Sequence, residues 1–201
     1  MSIPNRLGKV NHCDRYYDLV ADRGESGPAP DEERPLATEA EAKALASAVR
    51  LRIIRLCRDR ALTNKELAER LEANPATVLH HVRKLVETGF LEAQDARTGA
   101  RGAREIPYRS TRKSWTLQYG DRFRANLSTA IMEAYADEVA KVDDPSQVDT
   151  SRLGLLLNEE QHRTVVRRLK ELLDELEATE PGPGARPYSL FLSVHPDIDR
   201  G

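Results

Sequence analysis

The sequence predicts a mainly α fold with a small β component, of the α+β class. Apolar residues recur at three- and four-residue spacing over most of the chain beyond Ala37. Two strong helix starts, at Thr63 and Asn74, lie close together. The second helix is followed by a turn-rich, arginine-dense stretch between two extended segments.

Length and composition narrow the reading. The 201 residues suit one sizeable domain with an accessory region. Charged residues make up 32% and aromatics 5%, favouring a small helical core with broad solvated faces over a β-sandwich. No apolar run reaches the roughly 18 residues a membrane helix requires, and the first residues lack a signal peptide's apolar core, so a cytoplasmic protein without a membrane partner is expected. Cys13 and Cys57 are too few for a disulfide framework or a four-thiolate zinc site. The net charge of −2 hides an asymmetry: Leu45 to Trp115 carries 15 of the 31 Lys/Arg but only 8 of the 33 Asp/Glu. That segment suits a polyanion, and the rest does not.

Three regions follow: a mobile tail over 1–35, a unit over 36–116, and a third region over 117–201. The tail includes "GESGPAPDEERP", too polar and too rich in Pro and Gly to offset its ordering entropy. From Ala37, Leu45, Val49, Ile53, Leu56 and Cys57 predict one helix running to about Arg60. Thr63, with Glu66 three residues on, forms a capping box for a helix burying Leu67, Ala68 and Leu71. Asn74 as N-cap and Pro75 at the first helical position start the next, with Val78, Val82 and Leu85 inward and Gly89 as the stop. The short turn between them is the spacing of a helix-turn-helix. "FLEAQDA", "RTGARGARE" and "IPYRSTR" then read as a β-hairpin, which completes a winged helix. Beyond Trp115, Phe123, Leu127, Ala130, Ile131 and Ala134 mark one face of a long helix, expected to have no partner in the winged unit and to form a dimer interface. "RLGLLL" and "YSLFLSV" read as strands flanking a helix capped by Asn158 and Gln161. Together these make a small α+β accessory module.

The stretch "LTNKELAERLEANPATVLHHVRKLVETGFLEAQDARTGARGAREIPYR" is similar to the winged helix-turn-helix of ArsR-like bacterial transcriptional regulators. The resemblance covers roughly Ala37 to Trp115. The region after Trp115 resembles the tail of stand-alone members from actinobacteria. It implies a homodimer that binds partly palindromic double-stranded DNA and represses transcription. The Cys-x-Cys pair of metal-sensing members has no counterpart between Thr63 and Leu71, so metal sensing is not implied.

A recognition helix over about 75–88 must present donors from its exposed N-terminal turns to base edges and phosphates. Asn74, Ala76, Thr77, His80, Arg83 and Lys84 lie off the inward stripe, with Thr77 and His80 the leading base contacts. His81 adjoins the stripe and is expected to pack at the core edge or bond backbone phosphate. On the wing, over about 95–106, Arg97, Arg101 and Arg104 would neutralise phosphates or enter the minor groove. Thr63 and Lys65 would hold a phosphate at a helix N-terminus.

Blander readings stand beside these. Any single Arg or Lys is as often a solvated surface residue as a contact. Adjacent histidines point about 100° apart on a helix and do not chelate one ion together, so no metal site and no cofactor is expected. The cluster His12, Cys13 and Asp14 lacks fixed geometry. Cys57 reads as a small buried hydrophobe. The alternatives to a DNA-binding regulator are a winged-helix module that binds protein, and an enzyme, which would need convergent acid, base or metal residues. The C-terminal region leaves room for an effector or a protein partner.

Overall fold

The computed structural model describes residues 34–99 and 102–200. The tail expected over 1–35, with His12 and Cys13, therefore lies almost wholly outside the described residues, as does Arg101. The architecture is mixed α and β, as the sequence predicts.

Helix α1 spans Glu39–Leu45 and begins in a capping box: the Thr38 hydroxyl accepts from the Glu41 amide at 3.3 Å, and the Glu41 carboxylate accepts from the Thr38 amide at 2.7 Å. Helix α2 spans Ala48–Leu56. The single helix expected from Ala37 to about Arg60 is thus two. The chain leaves helical geometry at Ala46 (ψ 52°), and the Arg50 guanidinium donates to the carbonyls of Ala44 and, at 2.9 Å, of Lys43. An arginine one turn into the second helix closes the end of the first, an arrangement apolar periodicity does not encode.

Helix α3 (Asn64–Leu71) and helix α4 (Pro75–Glu87) form where expected, with the Thr63–Glu66 capping box and the Asn74 cap both present. The turn between them passes through Glu72 in the left-handed region (φ 54°). Gly89 ends the α4 segment at φ 74°, a conformation open to glycine without steric cost.

Three short strands make an antiparallel sheet in the order β1 (Leu62–Thr63), β5 (Pro107–Ser110), β2 (Leu91–Ala93), with Leu62 opposite Tyr108 and Leu91 opposite Ser110. Strands β3 (Arg97–Thr98) and β4 (Arg104–Glu105) pair farther out and form the wing. Strand β1 was not legible in the sequence, because two residues are too few to show alternation. The core gathers Leu45, Ile53, Cys57, Leu67, Val78, Val82, Leu85, Phe90 and Leu91. Burial pushes the Cys57 thiol up to about 12, so it behaves as the inert hydrophobe expected.

Helix α5 (Asp121–Val139) departs from expectation. It packs on α1 and α2 inside the same chain, fastened by Arg52–Asp137 and Arg55–Glu138, each at 3.3 Å. Ala130 and Ala134 are buried and Leu127 leans on the core, while Phe123 is half-buried and Ile131 stays exposed. The dimer face predicted there is therefore largely spent within the chain. Small residues at 130 and 134 let two helices of one chain approach closely, a use the apolar spacing alone does not distinguish from self-association.

Helix α6 (Glu159–Ala178) starts at the expected Asn158–Gln161 capping box. The strands expected in "RLGLLL" and "YSLFLSV" are not formed: neither segment has a ladder partner among the described residues. Phe191 instead stacks on Tyr135 with ring centroids 5.0 Å apart, and the Ser189 hydroxyl donates to Glu138 at 3.2 Å. These side chains fix the last segment to α5 without a sheet.

One ammonium group joins three parts of the winged unit. Lys113 Nζ sits 2.5 Å from the Glu41 carboxylate, donates to the Thr88 carbonyl at 2.8 Å, and lies 5.5 Å from the Phe90 ring centroid. The bond from Lys113, reinforced by the Thr38 amide, holds the Glu41 carboxyl at about 2, well below its ordinary 4.5. A depressed folded-state value makes this stabilisation complete above pH 4.5 and lost as pH falls from 4.5 toward 2. Denaturant unfolding of Glu41→Gln should accordingly show a deficit at pH 7 that closes as pH approaches 2; a deficit independent of pH would contradict this.

Candidate nucleic-acid interface

Helix α4 is held in one rotational setting. Val78, Val82 and Leu85 are each 0% exposed, and any rotation about the helix axis would bring them into water. Its start is fixed as well: Asn74 Oδ1 accepts from the Ala76 amide at 2.8 Å, and Asn64 Nδ2 donates across the turn to the Pro75 carbonyl at 2.9 Å. Asn64 is a positioning residue that the sequence reading missed, since nothing in its spacing signals a bond eleven residues away.

With that face inward, Ala76, Thr77, His80 and Arg83 are exposed, and Lys84 is half-exposed beside them. Lys84 pairs with Glu87 at 3.3 Å, whereas Arg83 forms no salt bridge among the described residues. Asn74 is exposed, but its oxygen is committed to the cap.

His81 turns the other way. It is half-buried, with Nδ1 3.5 Å from Arg50 Nη1. Desolvation, then the Arg50 charge, then His80 hold its pKa below the ordinary 6.5. A neutral imidazole beside an arginine is a poor phosphate ligand at neutral pH, so of the two roles expected for His81 the structure supports packing at the core edge.

The start of α3 also departs from expectation. Thr63 is buried, and its hydroxyl accepts from the Glu66 amide at 3.2 Å. The Glu66 carboxylate accepts from the Thr63 amide at 2.7 Å, so the helix N-terminus already holds an anion of its own. Lys65 remains exposed, 4.0 Å from Glu69.

Wing arginines divide in the same way. Arg97 is 2.8 Å from Glu66 and 3.9 Å from Glu105. It ties the base of the wing to α3 while its side chain stays exposed. Arg104 is exposed and forms no salt bridge among the described residues. The tip turns through Gly102 at φ 76°, with the Gly99 amide donating to the Ala103 carbonyl at 2.7 Å. Among the described residues no group of three or more His, Cys, Asp or Glu is placed to hold a metal ion, and no helix is long and apolar enough to cross a membrane.

A buried stripe on α4, the short turn from α3 and the hairpin beyond α4 are the parts of one known arrangement. The chain carries a winged helix-turn-helix. A family profile described as a helix-turn-helix domain matches residues 45–94, which run from the end of α1 to just past β2. No curated protein matches the chain significantly in sequence. Solved structures similar to it include reduced HlyU from Vibrio cholerae, 20% identical over 47% of this chain and 84% of that one, with a TM-score of 0.31. ZitR from Lactococcus lactis is 18% identical over 83% and 96%, TM-score 0.32, and a S. aureus MepR variant bound to an oligodeoxyribonucleotide is 15% identical over 69% and 79%, TM-score 0.27.

Replacing Arg97 with Ala should speed amide hydrogen exchange across residues 97–105 while lowering global stability by no more than about 1 kcal/mol, as suits a half-exposed ion pair. Unchanged exchange in the wing would show that the Glu66 contact does not hold it.

Proposed function

We propose that this protein is a sequence-specific DNA-binding transcriptional regulator rather than a catalyst, acting in the cytoplasm as a homodimeric repressor of the ArsR-like type on a partly palindromic operator. One observation carries the reading. Helix α4 exposes Thr77, His80 and Arg83 while its opposite face is immobilised by three fully buried side chains. A rigid helix with an outward row of hydrogen-bonding groups fits the major groove, where each base pair presents a distinct donor and acceptor pattern.

The charge distribution supports it. Arg83 and Arg104 have no carboxylate partner among the described residues, so their charge is available to phosphates. The acidic side chains of α6 engage other arginines: Asp174 lies 2.5 Å from Arg34, and Glu177 lies 2.5 Å from Arg58 and 3.7 Å from Arg112. The C-terminal region thus neutralises one part of the winged unit and leaves the α4 face uncovered by these pairs.

Fluorescence anisotropy against genomic fragments at two salt concentrations tests the reading. His80→Ala should erode discrimination between fragments by about 1–3 kcal/mol, whereas Arg104→Ala should weaken all fragments alike and reduce the salt slope by about one. Absence of binding even at low salt would overturn the proposal.

A further inference from the structure

Helix α6 is attached to the rest of the protein by charge more than by burial. None of its twenty residues is buried, and its backbone packs extensively on no other helix or strand among the described residues. Helices of this length in proteins draw most of their stability from an apolar face set on a core. Helix α5 does so through Ala130 and Ala134, whereas α6 reaches the winged unit with two carboxylates. Asp174 lies 2.5 Å from Arg34 and accepts from Trp115 Nε1 at 3.1 Å, and Arg34 in turn lies over the Trp115 ring, 5.5 Å from its centroid. Glu177 lies 2.5 Å from Arg58 and 3.7 Å from Arg112. Three residues apart, the two acids share one face of the helix. Their arginines come from three separate parts of the unit: ahead of α1, behind α2 and behind β5.

The sequence of α6 alone does not favour this placement, since acids close to a helix C-terminus oppose its dipole. The arginines offset that cost only while the helix is docked. Their pairs stay in touch with water: the side chains of Arg34, Arg58 and Arg112 are 25%, 43% and 57% exposed. Dissolved ions therefore screen them. The helix itself has supports that do not involve the winged unit, namely the Asn158–Gln161 capping box and the internal pairs Arg163–Glu159 and Arg167–Glu171.

We propose that α6 is a charge-latched arm: Asp174 and Glu177 hold it on the winged unit at low ionic strength, and it leaves as an intact helix when those pairs are screened. Release returns three guanidiniums, none of them on α4 or the wing, to solvent. The latch does not depend on DNA binding.

Trp115 is the one tryptophan of the chain and sits at the latch, so its fluorescence reports docking. Acrylamide quenching of the full chain, followed with circular dichroism, tests the proposal. The wild-type quenching constant should rise roughly twofold between about 0.05 M and about 1 M NaCl, with helix content unchanged. Glu177→Gln, which alters the contacts to Arg58 and Arg112 but none to Trp115, should reach the high value at lower salt. Asp174→Asn/Glu177→Gln should show it throughout, and Glu171→Gln, which loses only a pair inside the helix, should follow the wild type. Wild-type quenching that salt leaves unchanged would overturn the latch, as would loss of helix content in the same transition. A Glu177→Gln response equal to the wild type would reduce Asp174 to a local contact of the indole and overturn it too. A Glu171→Gln response equal to that of Glu177→Gln would overturn the assignment to these two carboxylates.

Discussion

The structure depends on the burial of Val78, Val82 and Leu85 beneath α4. Three side chains with no access to water fix the rotation of a thirteen-residue helix about its axis. That rotation decides which other residues face outward. Removing one of them would create a cavity costing on the order of 1–4 kcal/mol and would also release the helix's setting. The caps at either end determine where α4 begins and ends, but the stripe determines what it presents.

Around that helix the polar groups divide into those that build and those that remain available. Glu66 accepts the Thr63 amide, closes the capping box and reaches Arg97 on the wing. Lys113 takes Glu41 and the Thr88 carbonyl, and Arg50 closes α1 and lies beside His81. Arg83 and Arg104 are left uncommitted among the described residues, and they stand on α4 and on the wing. A count of basic residues treats Arg97 and Arg104 alike, whereas the first pairs with Glu66 and the second is exposed with no carboxylate partner among the described residues.

Local signals in the sequence carried most of the winged unit. Capping boxes at Thr63 and Asn158 and the Asn74–Pro75 start depend on residues within three positions of one another, and all formed. The inward stripes of α3 and α4 were legible for the same reason. What failed depended on distant contacts. The break at Ala46–Ser47 is closed by Arg50, the burial of Ala130 and Ala134 reflects the docking of α5, and the last segment is held to α5 by Phe191 and Ser189 rather than by a ladder. At the candidate interface, Thr77, His80 and Arg83 emerged on the surface as expected. Thr63 did not, because the cap consumes it; His81 lies at the core edge, one of its two expected places, beside Arg50 across 31 positions of sequence.

The central claim is that α4 meets DNA with the face its buried stripe leaves outward. Backbone amide chemical-shift mapping of the full chain on addition of a selected DNA fragment tests this most directly. The account predicts the largest changes over residues 76–84 and around Arg104, with α6 little affected. Changes concentrated on α6, with Thr77, His80 and Arg83 undisturbed, would contradict it.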